Sequence, residues 1–335
     1  MFGHNRNILW FIFSAGSVLL ISCASPTPTQ QSEPTSAPAP TATPEPARPA
    51  EPELLMMLTG NEKPLNTPYG VAVAPDGSIY VSDSGNNRVL KFDGDGNLLD
   101  TWDKAGSGDG ELKSMGFGGL AVDADGNVFV VDNGNHRIQK FDSEGQYLAQ
   151  WGSEGTQDGQ FVRAIGIAVD SEGNVYVTDD GNPYVQKFDN NGQFLMKWGG
   201  QGREDGQFSH ATGIDVDLQG NVFVADYNNK RVQKFNPQGE FVAGWTVGSD
   251  IDATGTPEGI AVDAAGHVFI TDYVFGRVQA FSNDGQPLFA WGSHGLEPGQ
   301  FRKPTGIAID ADGKAYVVSQ TNNDVQVFQL PPIEE

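Results

Sequence analysis

From residue 53 onward, apolar residues fall in short runs separated by clusters of Gly, Asp, Asn and Ser. The runs are rich in Val, Ile, Phe and Tyr and lack the 3.6-residue spacing of a helix, so each predicts a β-strand. Their order repeats. A Gly-led run such as "GLAVD" (119–123) leads into an Asp-Gly turn, then "NVFVVD" (127–132), a polar tip, "RIQKF" (137–141), a second Gly-containing turn, and "YLAQWG" (147–152). Asp-Gly, Glu-Gly and Asn-Gly supply the positive-φ residue that a tight hairpin requires. Each unit therefore predicts a four-stranded antiparallel meander.

The leading Gly recurs at 70, 119, 166, 213, 259 and 306, with spacings of 49, 47, 47, 46 and 47 residues. Six such sheets packed radially make a β-propeller. In "NVFVVD" both alternating sets, Val128 with Val130 and Phe129 with Val131, are apolar, which predicts a strand buried on both faces. The last copy ends at "DVQVFQL" (324–330) without a Trp-bearing strand, whereas "ELLMMLTGNEKPLNT" (53–67) precedes the first copy and places Leu58 at the Trp position. The N-terminal strand is expected to complete the last sheet, pairing edges that would otherwise stay open. The predicted fold is all-β, a six-bladed β-propeller of four-stranded antiparallel blades spanning 53–335 and closed by that strand.

The motifs "G-[IVL]-A-V", "[VI]-x-D", "N-x-R-[VI]-x-[KA]-F" and "W-G-x-x-G" resemble NHL repeats over 54–330. The resemblance implies a propeller. It leaves function open, because propellers of this type bind RNA or protein, act as sensors, or carry enzyme activity.

The Asp closing the second strand recurs at Asp83, Asp132, Asp179, Asp226 and Asp272, and an Arg five positions on at Arg88, Arg137, Arg231 and Arg277. Four copies of one pair predict scaffold: Asp83–Arg88, Asp132–Arg137, Asp226–Arg231 and Asp272–Arg277 each pin a hairpin tip by a charge-assisted hydrogen bond. Two blades break the rule. Blade 3 has Tyr184 in place of Arg, with Asp179 beside Asp180; blade 6 has Ser319 and Asp324. Such departures are where function is worth seeking.

The tips and the residues leading into each first strand vary between copies and are expected to share one face around the axis, where loop variation on a rigid ring gives binding specificity. The ligand-binding candidates are Tyr69, Phe117, Asn133, His136, Asp179, Asp180, His210, Tyr227, Lys230, Glu258, Tyr273 and Phe275. Tyr69, Phe117, Tyr227, Tyr273 and Phe275 predict an aromatic surface around a polar mouth, suited to a peptide, a glycan or a small organic molecule. The alternative is a metal-dependent hydrolase or lyase at the same mouth. Amidating lyases with NHL-like propellers hold zinc through several His, but His136, His210 and His294 come from different blades with no paired spacing. A divalent-metal site like that of gluconolactonase-type propellers would need Glu258, Asp179 and Asn133 to converge. No nucleophile elbow or phosphate loop is present in the sequence. The primary reading is a binding module without catalytic residue, metal or cofactor, and a monomer.

The N-terminal segment adds location. Residues 8–22 form an apolar run after Arg6 and end in "LISC", which resembles the lipobox of bacterial lipoproteins. The run is short for a membrane span but suits a signal peptide. Residues 1–22 are then the signal peptide, Cys23 (the sole cysteine) the lipidated residue, and 23–52 a Pro- and Thr-rich tether of extended character. The expected location is the cell envelope, lipid-anchored on the extracytoplasmic side of a bacterial membrane, with a protein, peptide or envelope glycan as partner. A net charge of −23 argues against nucleic acid.

Overall fold

The second strand of each of the first five repeats is buried along its whole length, as in Ile79–Asp83, Val128–Asp132 and Val222–Asp226, because a sheet packs on each of its faces. The fourth strand alternates instead: in Tyr147–Trp151 the side chains of Leu148 and Gln150 face solvent. These two patterns define the inside and outside of each blade in a computed structural model that describes residues 51–60, 63–248 and 255–333. The signal peptide, Cys23 and the tether through residue 50 lie outside the described residues.

Six four-stranded antiparallel sheets follow in chain order. Blade 1 runs from Val71 to Trp102, blade 2 from Leu120 to Trp151, blade 3 from Ala164 to Gly199, blade 4 from Ala211 to Thr246 and blade 5 from Pro257 to Trp291. Blade 6 combines Pro304–Ile309, Lys314–Ser319 and Asp324–Gln329 with the N-terminal strand Glu53–Leu58 as its outer edge. The described residues contain no regular structure besides strands and two single 3-10 turns, Ser84–Asn86 and Asn133–Asn135.

The closure follows the repeat register. Leu58 stands opposite Val325 as Trp102 stands opposite Val89 and Trp151 opposite Ile138. Leu58 is also packed as the tryptophans are. The turn glycine of the following blade leaves room for it: a Cβ on Gly96 would lie 2.9 Å from Leu58 Cδ2, as one on Gly239 would lie 2.8 Å from Trp198. Leu58, Leu65, Val71, Val81 and Phe92 share one buried cluster with Tyr316, Val325 and Val327, joining the last blade to the first.

Near the axis the inner strands approach so closely that only Gly fits the repeated first position. A Cβ on Gly306 would sit 2.6 Å from the Tyr69 carbonyl oxygen and 2.9 Å from Gly70 Cα. Each joint between blades is then tied by a hydrogen bond to a carbonyl of the next ring residue. The donors are Ser82 Oγ to Gly118 O (2.8 Å), Gly119 N to Ile165 O (2.9 Å) and Thr178 Oγ1 to Thr212 O (2.6 Å). Thr212 Oγ1 to Glu258 O (3.0 Å), Thr271 Oγ1 to Thr305 O (2.7 Å) and Thr305 Oγ1 to Tyr69 O (2.9 Å) complete the belt.

The Asp–Arg pairs form at all four expected places. Arg Nε lies 2.6 Å from Asp83, 2.8 Å from Asp132, 3.0 Å from Asp226 and 3.3 Å from Asp272. Their reach exceeds the hairpin. The second Asp132 oxygen accepts Lys113 N at 2.9 Å, and Arg137 donates to the carbonyls of Gly108 and Glu111 at 2.8 Å each. The pair thus fastens the loop arriving from the preceding blade onto the tip. In blade 3, Asp179 has no guanidinium and accepts four backbone N–H groups instead, from Val162, Arg163, Gly181 and Asn182. Burial raises its pKa against those four bonds. In blade 6, Ser319 Oγ accepts the equivalent loop N–H, from Arg302, at 3.0 Å.

Candidate functional site

The tips and the loops entering the first strands meet on one face, and there blades 2 to 5 enclose a cavity of about 180 Å³ lined by Phe117, Arg163, Ile165, Asp180, His210, Tyr227, Glu258 and Tyr273. Three repeat positions build it. Asp180, Tyr227 and Tyr273 directly follow the second strands; Arg163 and His210 precede the first strands; Ile165 and Glu258 occupy the ring position before the repeated Gly. Below the cavity the axial channel narrows to about 60 Å³ between the glycines and isoleucines of the inner strands, with Ile165 and Glu258 common to both spaces.

Glu258 forms the floor. Its side chain is buried, and Tyr69 Oη, from blade 1 two positions away around the ring, donates to Oε1 at 2.5 Å. Burial pushes the Glu258 carboxyl up to about 7, while the Tyr69 hydroxyl, His210 in its protonated form and the Lys230 charge pull it back down. Burial and the Glu258 charge hold the Tyr69 phenol well above its ordinary value, so it remains a donor.

Asp180 forms one wall. Its carboxylate is buried between the Arg163 guanidinium, with which it pairs, and His210 Nδ1 at 2.9 Å. Burial lowers the His210 pKa, with Glu258 opposing. A neutral imidazole that donates through Nδ1 to Asp180 presents Nε2 as an acceptor. Tyr227 and Tyr273 form the opposite wall edge to face, with ring centroids 5.9 Å apart, and the His210 ring lies 5.1 Å from Tyr227. Burial, with Glu258 second, raises the Tyr227 hydroxyl to about 12. Phe117 closes the rim against Tyr69, centroids 5.6 Å apart.

Six of the twelve candidates therefore line one cavity: Phe117, Asp180, His210, Tyr227, Glu258 and Tyr273. Tyr69 stands beneath it and Lys230 behind it, Nζ 4.7 Å from the centre of the Tyr227 ring and bonded to Thr256 Oγ1 at 2.9 Å. The others lie elsewhere. Asp179 is fully buried in the scaffold bonds described above. Asn133 donates to the Ala164 carbonyl at 3.0 Å, and His136 Nδ1 lies 3.1 Å from the Val162 carbonyl, so both tie blade 2 to blade 3. His136 also holds the tip's left-handed position, φ 53°, which Asn87 and Lys230 hold in blades 1 and 4. Phe275 packs under Arg277, 5.2 Å from ring centre to guanidinium. Phe117 is displaced from the ring position by one residue: Gly118 occupies it, accepts Ser82 Oγ in the axial belt and donates to the Met115 carbonyl in a local turn, and Phe117 folds over the rim.

Arg163 and Ile165 are the lining residues that the candidate set lacks. Arg163 was within reach, because "FVRA" and "FSHA" align Arg163 with His210, and "FRKP" aligns Lys303 with both. Metal-ligand geometry is not assembled by the expected donors. Among the described residues no three His, Cys, Asp or Glu side chains are grouped to hold one ion, so the three His do not converge; of the other set, Asp179 and Asn133 are taken up by the scaffold hydrogen bonds above.

Comparisons with known proteins agree on repeat type and architecture. A family model described as the NHL repeat matches residues 65–92, 118–141 and 208–235. No curated protein sequence matches the chain significantly. Among solved structures, a gluconolactonase from Xanthomonas campestris is similar over 88% of this chain and 99% of its own, with 19% identity and a TM-score of 0.60. Virginiamycin B lyase from Staphylococcus aureus is similar over 84% of this chain and 100% of its own, with 13% identity and a TM-score of 0.59. A streptogramin B lyase gives 13% identity and a TM-score of 0.58, over 83% of this chain and 96% of its own. At such identities the likeness is one of fold. The chain thus carries NHL repeats within a closed six-bladed β-propeller.

Proposed function

We propose that the chain is a ligand-binding propeller that takes a small organic molecule at the axial mouth of its variable face. The observation that carries this reading is the placement of Glu258, a buried carboxyl at the base of a cavity whose apolar lining is Phe117, Ile165, Tyr227 and Tyr273. Concave sites with apolar walls and a few convergent polar groups are the usual form of small-molecule sites. Here the polar groups are Glu258, Asp180, Arg163 and His210, contributed by three blades.

A thermal-shift screen of the full chain against sugars, amino acids and short organic acids tests it. At least one compound should raise the melting temperature of the wild type and leave the Tyr227→Ala plus Tyr273→Ala variant unmoved. Shifts that persist undiminished in the variant place the binding elsewhere.

One observation favours a second reading. Glu258, titrating near 7, and the His210–Asp180 pair are two ionisable groups held in different environments, the arrangement that acid–base catalysis uses. Hydrolase or lyase chemistry at the mouth then relies on these side chains. Turnover of a hit compound that Glu258→Gln abolishes while binding remains would favour this reading over pure binding.

The same proposal places the propeller outside the cytoplasm as a monomer, held by a lipid on Cys23 and spaced from the bilayer by the tether to residue 52. Its support is the "LISC" motif and the composition of 24–52. Metabolic labelling with a fatty acid should mark the wild type and fail to mark Cys23→Ser; labelling that persists contradicts the anchor.

A further inference from the structure

Blade 6 reverses the charge that four other blades place at the hairpin base. Where blades 1, 2, 4 and 5 hold a buried Asp and an Arg, blade 6 holds Ser319 and Asp324, opposite each other in the same register. In blades 2 and 4 the guanidinium satisfies two carbonyls of the incoming loop: Gly108 and Glu111 in one, Glu204 and Gln207 in the other. The equivalent carbonyls in blade 6 are Glu297 and Gln300, identified by the same turn bond, Gln300 N to Glu297 O, and by Gln326 Nε2 donating to Gln300 O at 2.8 Å as Gln139 donates to Glu111 O. Among the described residues no guanidinium reaches them, and Gln300 O takes Asn322 Nδ2 as a donor instead.

Two further oxygens stand at this point. Asp324 is 4% exposed, and its nearest donor, Gln326 Nε2, is 3.5 Å away, too far for a good hydrogen bond. Asn322 Oδ1 is buried with no partner. Its amide is oriented by Nδ2 donating to the carbonyls of Gly295 and Gln300 at 3.2 Å each, so a flip would set oxygen against oxygen. Gln300 O accepts from both Asn322 Nδ2 and Gln326 Nε2, the donor beside Asp324, so the Asn322 and Asp324 side chains flank one carbonyl. The buried carboxylate, the orphaned amide oxygen and the Glu297 carbonyl, which keeps its turn N–H but lacks the guanidinium that its counterparts Gly108 and Glu204 receive, are oxygens with net negative charge. Such a set needs a positive partner, because a buried charge without one is strongly unfavourable.

We propose that blade 6 binds a hard metal cation, coordinated by oxygens of Asp324, Asn322 and the 297–300 loop, at the place where the other blades carry a guanidinium. Calcium fits the oxygen chemistry, with the low affinity common in extracellular modules; a monovalent ion shares the same donors.

The test is the melting temperature of the full chain at fixed ionic strength and pH 8, after chelation, with CaCl2, MgCl2 or KCl added in separate arms. At ten times the dissociation constant the wild type should gain about 3 °C with at least one of the three. The arm that responds identifies the ion. Ser319→Asp plus Asp324→Arg, which rebuilds the pair of the other blades, should melt above the metal-free wild type and lose the cation response. Asp324→Asn, of nearly the same shape, should also lose the response and guards against misfolding of the double variant. A wild type indifferent to all three salts overturns the proposal, as does a response of equal size in wild type and both variants.

Discussion

Glu258 links the site to the stability of the protein. Its carboxyl titrates at about 7 in the folded state against an ordinary value of 4.5. Between those values the folded chain keeps a proton that the unfolded chain has released, so this group costs stability as pH rises through that window and is neutral below it. From pH 5 to pH 8 the wild type should lose about 2–3 kcal/mol more than Glu258→Gln, which presents an uncharged acceptor to Tyr69; denaturant melts at the two pH values measure the difference, and parallel pH profiles would contradict the buried carboxyl. The Asp–Arg pairs predict a different signature. Asp132→Ala leaves Arg137 buried without its counter-charge and detaches Lys113 N, so urea unfolding should show a loss of about 3–5 kcal/mol. At this scale the sequence was informative where a residue repeats. Four copies made the pairs legible. His136 was not, because a single His among variable tips gives no sign that its backbone must adopt φ 53° or that its ring meets the Val162 carbonyl. Asp179 misdirected attention to a site for a related reason. Losing its Arg did not expose it, since backbone N–H groups took the guanidinium's place, while its neighbour Asp180 turned to the cavity.

Strands and their closure depend on patterns that sequence records directly. Apolar residues on both faces of the second strand and alternation in the fourth mark buried and outer positions, and the structure follows both. The closing strand was legible because Glu53–Leu58 carries the fourth-strand pattern with Leu58 in the Trp register. What the sequence does not encode locally is the partner of each loop. That Lys113 meets Asp132, or that Tyr69 reaches Glu258 past the intervening blade 6, depends on the assembled blades. Closure makes a sharp prediction. Leu58→Ala opens a gap between the last blade and the first and should cost about 2–5 kcal/mol, lowering one cooperative transition of the ring. Leu148→Ala, at an exposed fourth-strand position 48% accessible, should stay within about 0.5 kcal/mol of wild type. Equal effects of the two would mean that the N-terminal strand does not seal the sheet.

At the scale of the whole molecule, six near-equal blades produce an unequal mouth. The ring positions are Tyr69, Gly118, Ile165, Thr212, Glu258 and Thr305. Only one is a carboxylate, and the aromatic residues after the second strands come from blades 4 and 5 alone, Tyr227 and Tyr273. The result is a cavity off the symmetry of the scaffold, and asymmetry of this kind is what recognition of one small molecule requires. The outer rim offers a control, since Leu99 is exposed and far in the fold from the axis. The most direct measurement is calorimetric titration of the strongest screening hit into wild type, Tyr227→Ala and Leu99→Ala. The axial mouth predicts at least about a tenfold loss of affinity for Tyr227→Ala, about 1.4 kcal/mol, with Leu99→Ala unchanged. Undiminished affinity in Tyr227→Ala, or a loss confined to Leu99→Ala, would contradict it.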